Sequence, residues 1–242
     1  MNKIITYETI RSFCYTNDAL VTRPIRGVVL DFFGLGNTNM FFEDTDAGRA
    51  WAEDGVLLVV PYNNPWAWMN PQSIETTDEI LDVLFAKLGL PDETPIVSTG
   101  GSMGGMAAIT YTAYAKRTPA ACVANCPVCD LPYHYTERPD LPRTLYSAFY
   151  HEDGKIEDVL PRFSPLHLVG KLPRVPYHIF HCEEDKAVNI EKHSERFVAA
   201  MEKAGYDVTL TRVPERGHCN LTDEAWAAYR AAALEAITAA KG

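Results

Sequence analysis

The run Gly100-Gly101-Ser102-Met103-Gly104-Gly105 constrains this chain more than any other stretch. Pro95-Ile96-Val97-Ser98-Thr99 before it is short, apolar and β-branched, so it reads as a buried strand. From Met103 to Arg117 the chain is rich in Ala, Met and Tyr, with no glycine beyond Gly105 and no proline until Pro119. That segment reads as a helix. A chain that passes from strand to helix this abruptly must turn sharply at Ser102, and the turn needs close neighbours without a Cβ. Glycines at 100, 101, 104 and 105 provide that room. The helix start adds free N–H groups and a positive dipole end beside the serine, with the Met103 N–H nearest. Gly-x-Ser-x-Gly between strand and helix therefore predicts a nucleophilic serine poised to attack an ester or amide carbonyl. The alternative, a glycine-rich turn with an incidental serine, leaves that context unexplained.

The same alternation runs along most of the chain. Continuous apolar runs predict strands over 25–33, 56–60, 95–99, 121–126, 175–181 and 208–213. Helical spacing is predicted over 45–54, 73–88, 103–117, 190–204 and 221–240, with Gly89 as the C-cap of the second. The first twenty-odd residues alternate Ile5, Tyr7, Phe13 and Tyr15 with polar positions and suggest an antiparallel edge hairpin. Apolar strands alternating with helices predict an α/β class protein, a mostly parallel sheet covered on both faces. At 242 residues this is expected as one domain, 1–242, with 131–162 as a small insertion. Such sheets bind ligands beyond the carboxyl ends of their strands, so every candidate group should follow a strand.

The net charge of −10 argues against nucleic acid and anionic membrane surfaces as partners. The start has no continuous apolar segment with a small-residue cleavage site, and no run approaches membrane-spanning length. A cytoplasmic protein with reduced thiols is expected. Cys126-Pro-Val-Cys129 has the spacing of a redox motif or half a zinc site. No second close cysteine pair follows it, so it reads as two buried structural thiols, and no metal and no cofactor is expected.

A serine hydroxyl needs a base, and the base an orienting acid. Of seven histidines, His218 lies in the loop between the last strand and the last helix. His181 ends the preceding strand and is expected to point into the sheet edge; His134, His151, His167, His178 and His193 read as packed or solvated rings. The acid should come from the turn Glu183-Glu184-Asp185, where the three carboxylates remain rivals on local grounds.

Ser102, an acid near 185 and His218 follow one another in the chain order of the α/β-hydrolases. The chain resembles the catalytic domain of prolyl-oligopeptidase-like serine hydrolases. The resemblance rests on Gly100 to Gly105, Ser164-Pro165, His181-x-x-x-Asp185-x-x-Val188 and Gly217-His218, and covers most of the chain from about residue 25. It implies the α/β-hydrolase fold and assigns the acid to Asp185. Cys182 stands where family members commonly have glycine, and the large β-propeller many of them carry is not expected in these 242 residues. A second oxyanion donor is expected in the loop after the 25–33 strand, where the family often has His-Gly and this chain has Asp31-Phe32-Phe33-Gly34. The required group is a backbone N–H, taken as Phe33, with Gly34 the alternative.

Two segments are candidates for shaping a substrate. Pro61 to Asn70 follows a strand and carries Tyr62, Trp66 and Trp68, an aromatic platform or a set of apolar plugs. Residues 131–162 interrupt the strand–helix rhythm with prolines and aromatics, as a lid, a pocket wall or packing would. The expected activity is cofactor-independent hydrolysis of a small carboxylic ester through an acyl-enzyme. An oligopeptidase with the same machinery is the nearer rival, and a non-catalytic binding protein on this scaffold the rival of another class. The partner is a small ester or short peptide, and the oligomeric state is left open.

Overall fold

The fold was analysed in a computed structural model that describes residues 5–240. Seven strands form one sheet in the order β1-β3-β2-β4-β5-β6-β7. They are β1 (Cys14–Thr16), β2 (Gly27–Phe32), β3 (Val56–Pro61), β4 (Ile96–Gly101), β5 (Ala121–Asn125), β6 (Tyr177–Cys182) and β7 (Val208–Val213). Only β1 runs antiparallel to its neighbour; the others are parallel. Each apolar run of the sequence thus becomes a strand, shifted by a residue or two at its ends.

Side chains alternate between two apolar layers, as the pleat requires. Val28, Leu30, Leu57 and Val59 face the larger layer, while Val29, Val56, Leu58 and Val60 face the smaller one. The larger layer is covered by α2 (Pro71–Leu88), α3 (Met103–Tyr114) and α8 (Ser194–Lys203), and the smaller by α1 (Asp46–Glu53) and α9 (Asp223–Ala239). Local chemistry sets the helix ends. The Asn70 side chain accepts from Ser73 N with Pro71 at the first turn, and Gly89 closes α2 at φ 63°, as its position predicted. Thr222 caps α9 through Ala225 N.

Among the described residues the amino-terminal hairpin expected from alternation does not form, although β1 is an antiparallel edge strand. A short 3-10 helix, Ile10–Ser12, precedes β1, which pairs across to β3 with Cys14 opposite Pro61. Asn17 ends the strand: its Oδ1 accepts from Leu58 N, and its Nδ2 donates to Gly48 O and Val56 O. A side chain there takes the place of backbone partners, so pairing stops.

Residues 131–168 form four short helices, α4 (Leu131–Glu137), α5 (Leu141–Ala148), α6 (Ile156–Phe163) and α7 (Pro165–Leu168). Leu131, Leu141, Leu145, Phe149, Leu160 and Phe163 are buried in the same apolar layer as α2 and α3. The insertion is therefore packed as part of the wall. Among the described residues no helix is long and apolar enough to cross a membrane.

Candidate active site

Ser102 sits at φ 61°, ψ −124° between β4 and α3, in a region that non-glycine residues rarely occupy. The glycines around it permit close backbone contact. A Cβ on Gly104 would lie 2.0 Å from Phe32 O, and one on Gly100 would lie 2.4 Å from Gly104 O. The end of β2 thus presses directly on the first turn of α3. Ser102 N donates to Asn125 O at 2.9 Å, and Ser102 O accepts from Met106 N and Val128 N. The first N–H groups of α3, led by Met103, have no intrahelical acceptor by position. Phe33 and Gly34 line the cavity with Ser102, and a Cβ on Gly34 would lie 3.8 Å from Ser102 Cβ. The loop predicted to hold the second donor is therefore adjacent to the nucleophile position.

His218 lies after β7 and Asp185 after β6, both at the carboxyl edge of the sheet. His218 Nδ1 donates to Asp185 Oδ2 at 2.6 Å. The other carboxylate oxygen accepts from Ala187 N at 2.8 Å and Val188 N at 2.9 Å. Glu183 and Glu184 are exposed and turned away, Glu184 being held by its backbone N–H to Arg216 O. The acid meeting the imidazole is thus Asp185. His181, expected at the sheet edge, instead lies fully buried behind this turn. It is hydrogen-bonded to Ser194 Oγ at 2.7 Å and donates from Nε2 to Val188 O at 3.0 Å, bracing the loop that presents Asp185.

Burial alone pushes the Asp185 carboxyl up, but hydrogen bonds from His181, His218 and Val188 N outweigh it and hold it well below the usual range. Burial alone pulls His218 down; its bond to Asp185, with a contribution from Cys126, outweighs that and raises the ring to about 9. Nε2 faces Cys219 Sγ at 3.7 Å. Among the described residues no hydrogen bond joins Nε2 to Ser102 Oγ. Such bonds are often open before substrate arrives and close in the Michaelis complex.

Ser102 and His218 open on a cavity of about 490 Å3, a size that suits a small organic ligand. Trp68 is part of its lining, though 1% exposed. Its Nε1 donates to Thr144 Oγ1 at 3.1 Å, pinning the loop after β3 to α5. Trp66 does not line this cavity. Asn64 Oδ1 accepts from Trp66 N, turning the chain, and the Trp66 ring lies under the Arg143 guanidinium at 5.1 Å. The two-tryptophan platform thus reduces to Trp68. Tyr62 stacks on Phe33 with its ring centroid 6.5 Å away.

Several groups at the site carry no local signal in the sequence. Asn125 accepts from Ser102 N through its carbonyl and donates from Nδ2 to Cys219 O at 3.2 Å, joining the serine turn to the histidine loop. Tyr229 OH accepts from Gly100 N and donates to Val123 O, clamping β4 to β5 beneath the turn. His134 and Arg138 bring the insertion to the cavity wall. His134 bonds Glu137 at 2.5 Å, and His193 donates to the same carboxylate oxygen at 2.9 Å. Burial raises Glu137, but both imidazoles act against it and hold its pKa at about 2. All six cysteines are free thiols. Cys126 and Cys129 are both buried as expected, but they face different surroundings: Cys129 Sγ approaches Pro127 O, whereas Cys126 Sγ accepts from Cys182 N.

The family model of the prolyl oligopeptidase family matches residues 75–236, a span that includes Ser102, Asp185 and His218. The chain belongs to that family. Among curated protein sequences none matches significantly. Solved structures place this family member in the α/β-hydrolase fold. A puromycin hydrolase superposes with a TM-score of 0.72 at 17% identity, covering 91% of this chain and 35% of that one. The Pyrococcus horikoshii acylaminoacyl peptidase superposes at 0.65 and 14% identity, over 82% of this chain and 34% of that one. Esterase 2 of Thermogutta terrifontis gives 0.62 at 18% identity, over 90% and 86% of the two chains. This prolyl oligopeptidase family chain therefore spans about a third of the puromycin hydrolase and of the acylaminoacyl peptidase and most of the length of the esterase. Identities this low carry the fold and leave the substrate to the site itself.

Proposed function

We propose that the protein is a cofactor-independent serine hydrolase that cleaves a small carboxylic ester through an acyl-enzyme. The observation that carries this reading is the 2.6 Å bond between His218 Nδ1 and Asp185 Oδ2 on the cavity that also receives Ser102 in its strained turn. Ser102 Oγ attacks the ester carbonyl and its proton passes to His218 Nε2. Asp185 keeps the ring in the tautomer that accepts at Nε2 and stabilises the imidazolium. The Met103 and Phe33 N–H groups hold the oxyanion. His218 then returns the proton to the leaving alcohol as the carbon–oxygen bond breaks. Water adds to the acyl-enzyme with His218 as base, releasing the acid and restoring Ser102. Trp68 and the apolar rim at Leu35 and Val188 form the acyl or alcohol subsite.

Membership of the prolyl oligopeptidase family favours a second reading, peptide-bond cleavage with the same groups. The cavity of about 490 Å3, a size that suits a small organic ligand, supports the ester instead. A panel of p-nitrophenyl esters and aminoacyl-p-nitroanilides separates the two. Faster turnover of the anilides would transfer the assignment to a peptidase. Failure of Ser102 to react with a fluorophosphonate probe would leave a binding protein on a hydrolase scaffold. We also propose residence in the cytoplasm, which is tested by fractionating cells that express the chain.

A further inference from the structure

Cys126 and Cys219 are 93 positions apart in sequence, yet their sulfurs meet at the His218 ring. Cys126 Sγ, Cys219 Sγ and one imidazole nitrogen all lie within 4.8 Å of one another. The nitrogen at Cys219 is Nε2, at 3.7 Å, because Nδ1 is engaged by Asp185. Both cysteines hold the left-handed backbone conformation, Cys126 at φ 46° and Cys219 at φ 56°, which side chains with a Cβ rarely adopt. Two strained cysteines converging on one ring nitrogen form an arrangement that packing alone does not require.

From this geometry we propose that Cys126, Cys219 and His218 form an inhibitory site for a thiophilic divalent cation, of which Zn2+ is the type. Two sulfurs and an imidazole nitrogen are the donor set that such cations prefer over Mg2+ or Ca2+. Tetrahedral coordination needs metal–sulfur distances of about 2.3 Å and metal–nitrogen distances of about 2.0–2.1 Å, so the three atoms draw together modestly around the ion. Binding releases the two thiol protons and any proton on Nε2, and two thiolates neutralise the dication. Asp185 acts from behind: its bond to Nδ1 fixes the ring so that Nε2 points at the metal, the usual support for a metal-bound histidine. Entry is through the cavity, which Cys219 and His218 line together with Ser102. With the cation on Nε2 the ring has no lone pair for the serine proton, so hydrolysis stops. The cysteine pair that sequence spacing singles out, Cys126 with Cys129, is not the pair that converges. Cys219 replaces Cys129 because the β5 and β7 loops meet under the serine, where Cys219 Sγ would be 3.2 Å from a Cβ on Gly101.

The inhibitory consequence rests on the hydrolase reading, and metal binding itself does not. The test uses the full chain, kept reduced, with Zn2+ followed by calorimetry and Cd2+ by its ultraviolet thiolate charge-transfer band. Ester hydrolysis is measured in the same samples. One ion per chain, a band of two-thiolate intensity, and hydrolysis lost with Zn2+ and restored by EDTA are expected. C126S and C219S should each weaken binding on the order of a hundredfold or more and halve the Cd2+ band. C129S should leave both unchanged. No charge-transfer band in the unsubstituted protein, or Zn2+ sensitivity in C126S and C219S equal to that of the unsubstituted protein, would overturn the site. If C126S does not fold, C219S alone decides. A full band on Cd2+ addition, in a protein that hydrolyses no ester even before any metal is added, would sink the hydrolase reading while the site stands.

Discussion

The turn at Ser102 and the insertion at 131–162 line one cavity, but they are held by different means. The turn is fixed by backbone against backbone: Phe32 O against Gly104, Ser102 N to Asn125 O, Val128 N to Ser102 O. The insertion is fixed by side chains, with Trp68 on Thr144, Asn70 on Ala148 O, and His134 and His193 on Glu137. A backbone-built turn tolerates little change, which suits the placement of a nucleophile within the tolerance that reaction geometry demands. A wall built from side chains can be altered one group at a time, which suits the fitting of a substrate. Loss at the turn should therefore affect every substrate, and loss in the wall should distinguish among them.

The largest effect should come from Ser102→Ala. It should lower kcat by on the order of 10⁴ or more on all esters and leave the fold intact. Retention of a tenth of the activity would remove Ser102 from the mechanism and end the comparison. Gly104→Ala comes next. Its Cβ would meet Phe32 O at 2.0 Å, so β2 and α3 must part. About 1–3 kcal/mol of stability and roughly a hundredfold in kcat should be lost, equally for acetyl and cinnamoyl esters. Unequal losses would blur the division between turn and wall.

The pH profile tests the histidine that serves the turn. Proton removal from Ser102 needs the neutral His218 ring, so kcat/KM should fall as pH drops below about 9, by roughly tenfold per unit. Stability should run the other way. A group raised from 6.5 to about 9 stabilises the fold fully below 6.5, and that contribution disappears as pH rises through about 9. Asp185 is lowered, so its contribution is present above its unfolded value of 3.8 and is lost as pH falls through its folded one. Parallel pH profiles of kcat/KM and melting temperature, rising and falling together between 7 and 9, would contradict the assignment of the base.

The smallest and most selective effects belong to the tryptophans. Trp68→Ala should cost about 3–5 kcal/mol of stability and roughly ten- to a hundredfold in kcat/KM on a cinnamoyl ester, with the acetyl ester losing less. Trp66→Ala removes only a half-exposed ring and its contact with Arg143, so about 0.5–1 kcal/mol of stability should go and both esters should be cleaved nearly as before. Kinetics on the two esters, with a melting curve for each variant, decide between them. Equal losses on both esters for Trp68→Ala would make it a plug and no part of the subsite.

The sequence by itself determined the succession of strands and helices along the chain from β2 onward and the serine turn. Apolar runs of strand length, helices between them and Gly100 to Gly105 are local signals, because burial on both faces of a parallel sheet and a Cβ-free turn are requirements on consecutive residues. The position of His218 after the last strand was legible for the same reason, since carboxyl-end loops converge on one edge. The choice of Asp185 over Glu183 and Glu184 was not a local matter: which of three neighbouring carboxylates meets a ring 33 residues away depends on the angle at which β6 delivers the turn, braced by buried His181. Only the tertiary structure separated Trp68 from Trp66, brought Arg138 to the cavity, set Asn125 between two loops and exchanged Cys129 for Cys219 beside Cys126. Those outcomes depend on side-chain directions across elements distant in the chain, and spacing along a sequence carries no information about them until the sheet has set where each loop begins.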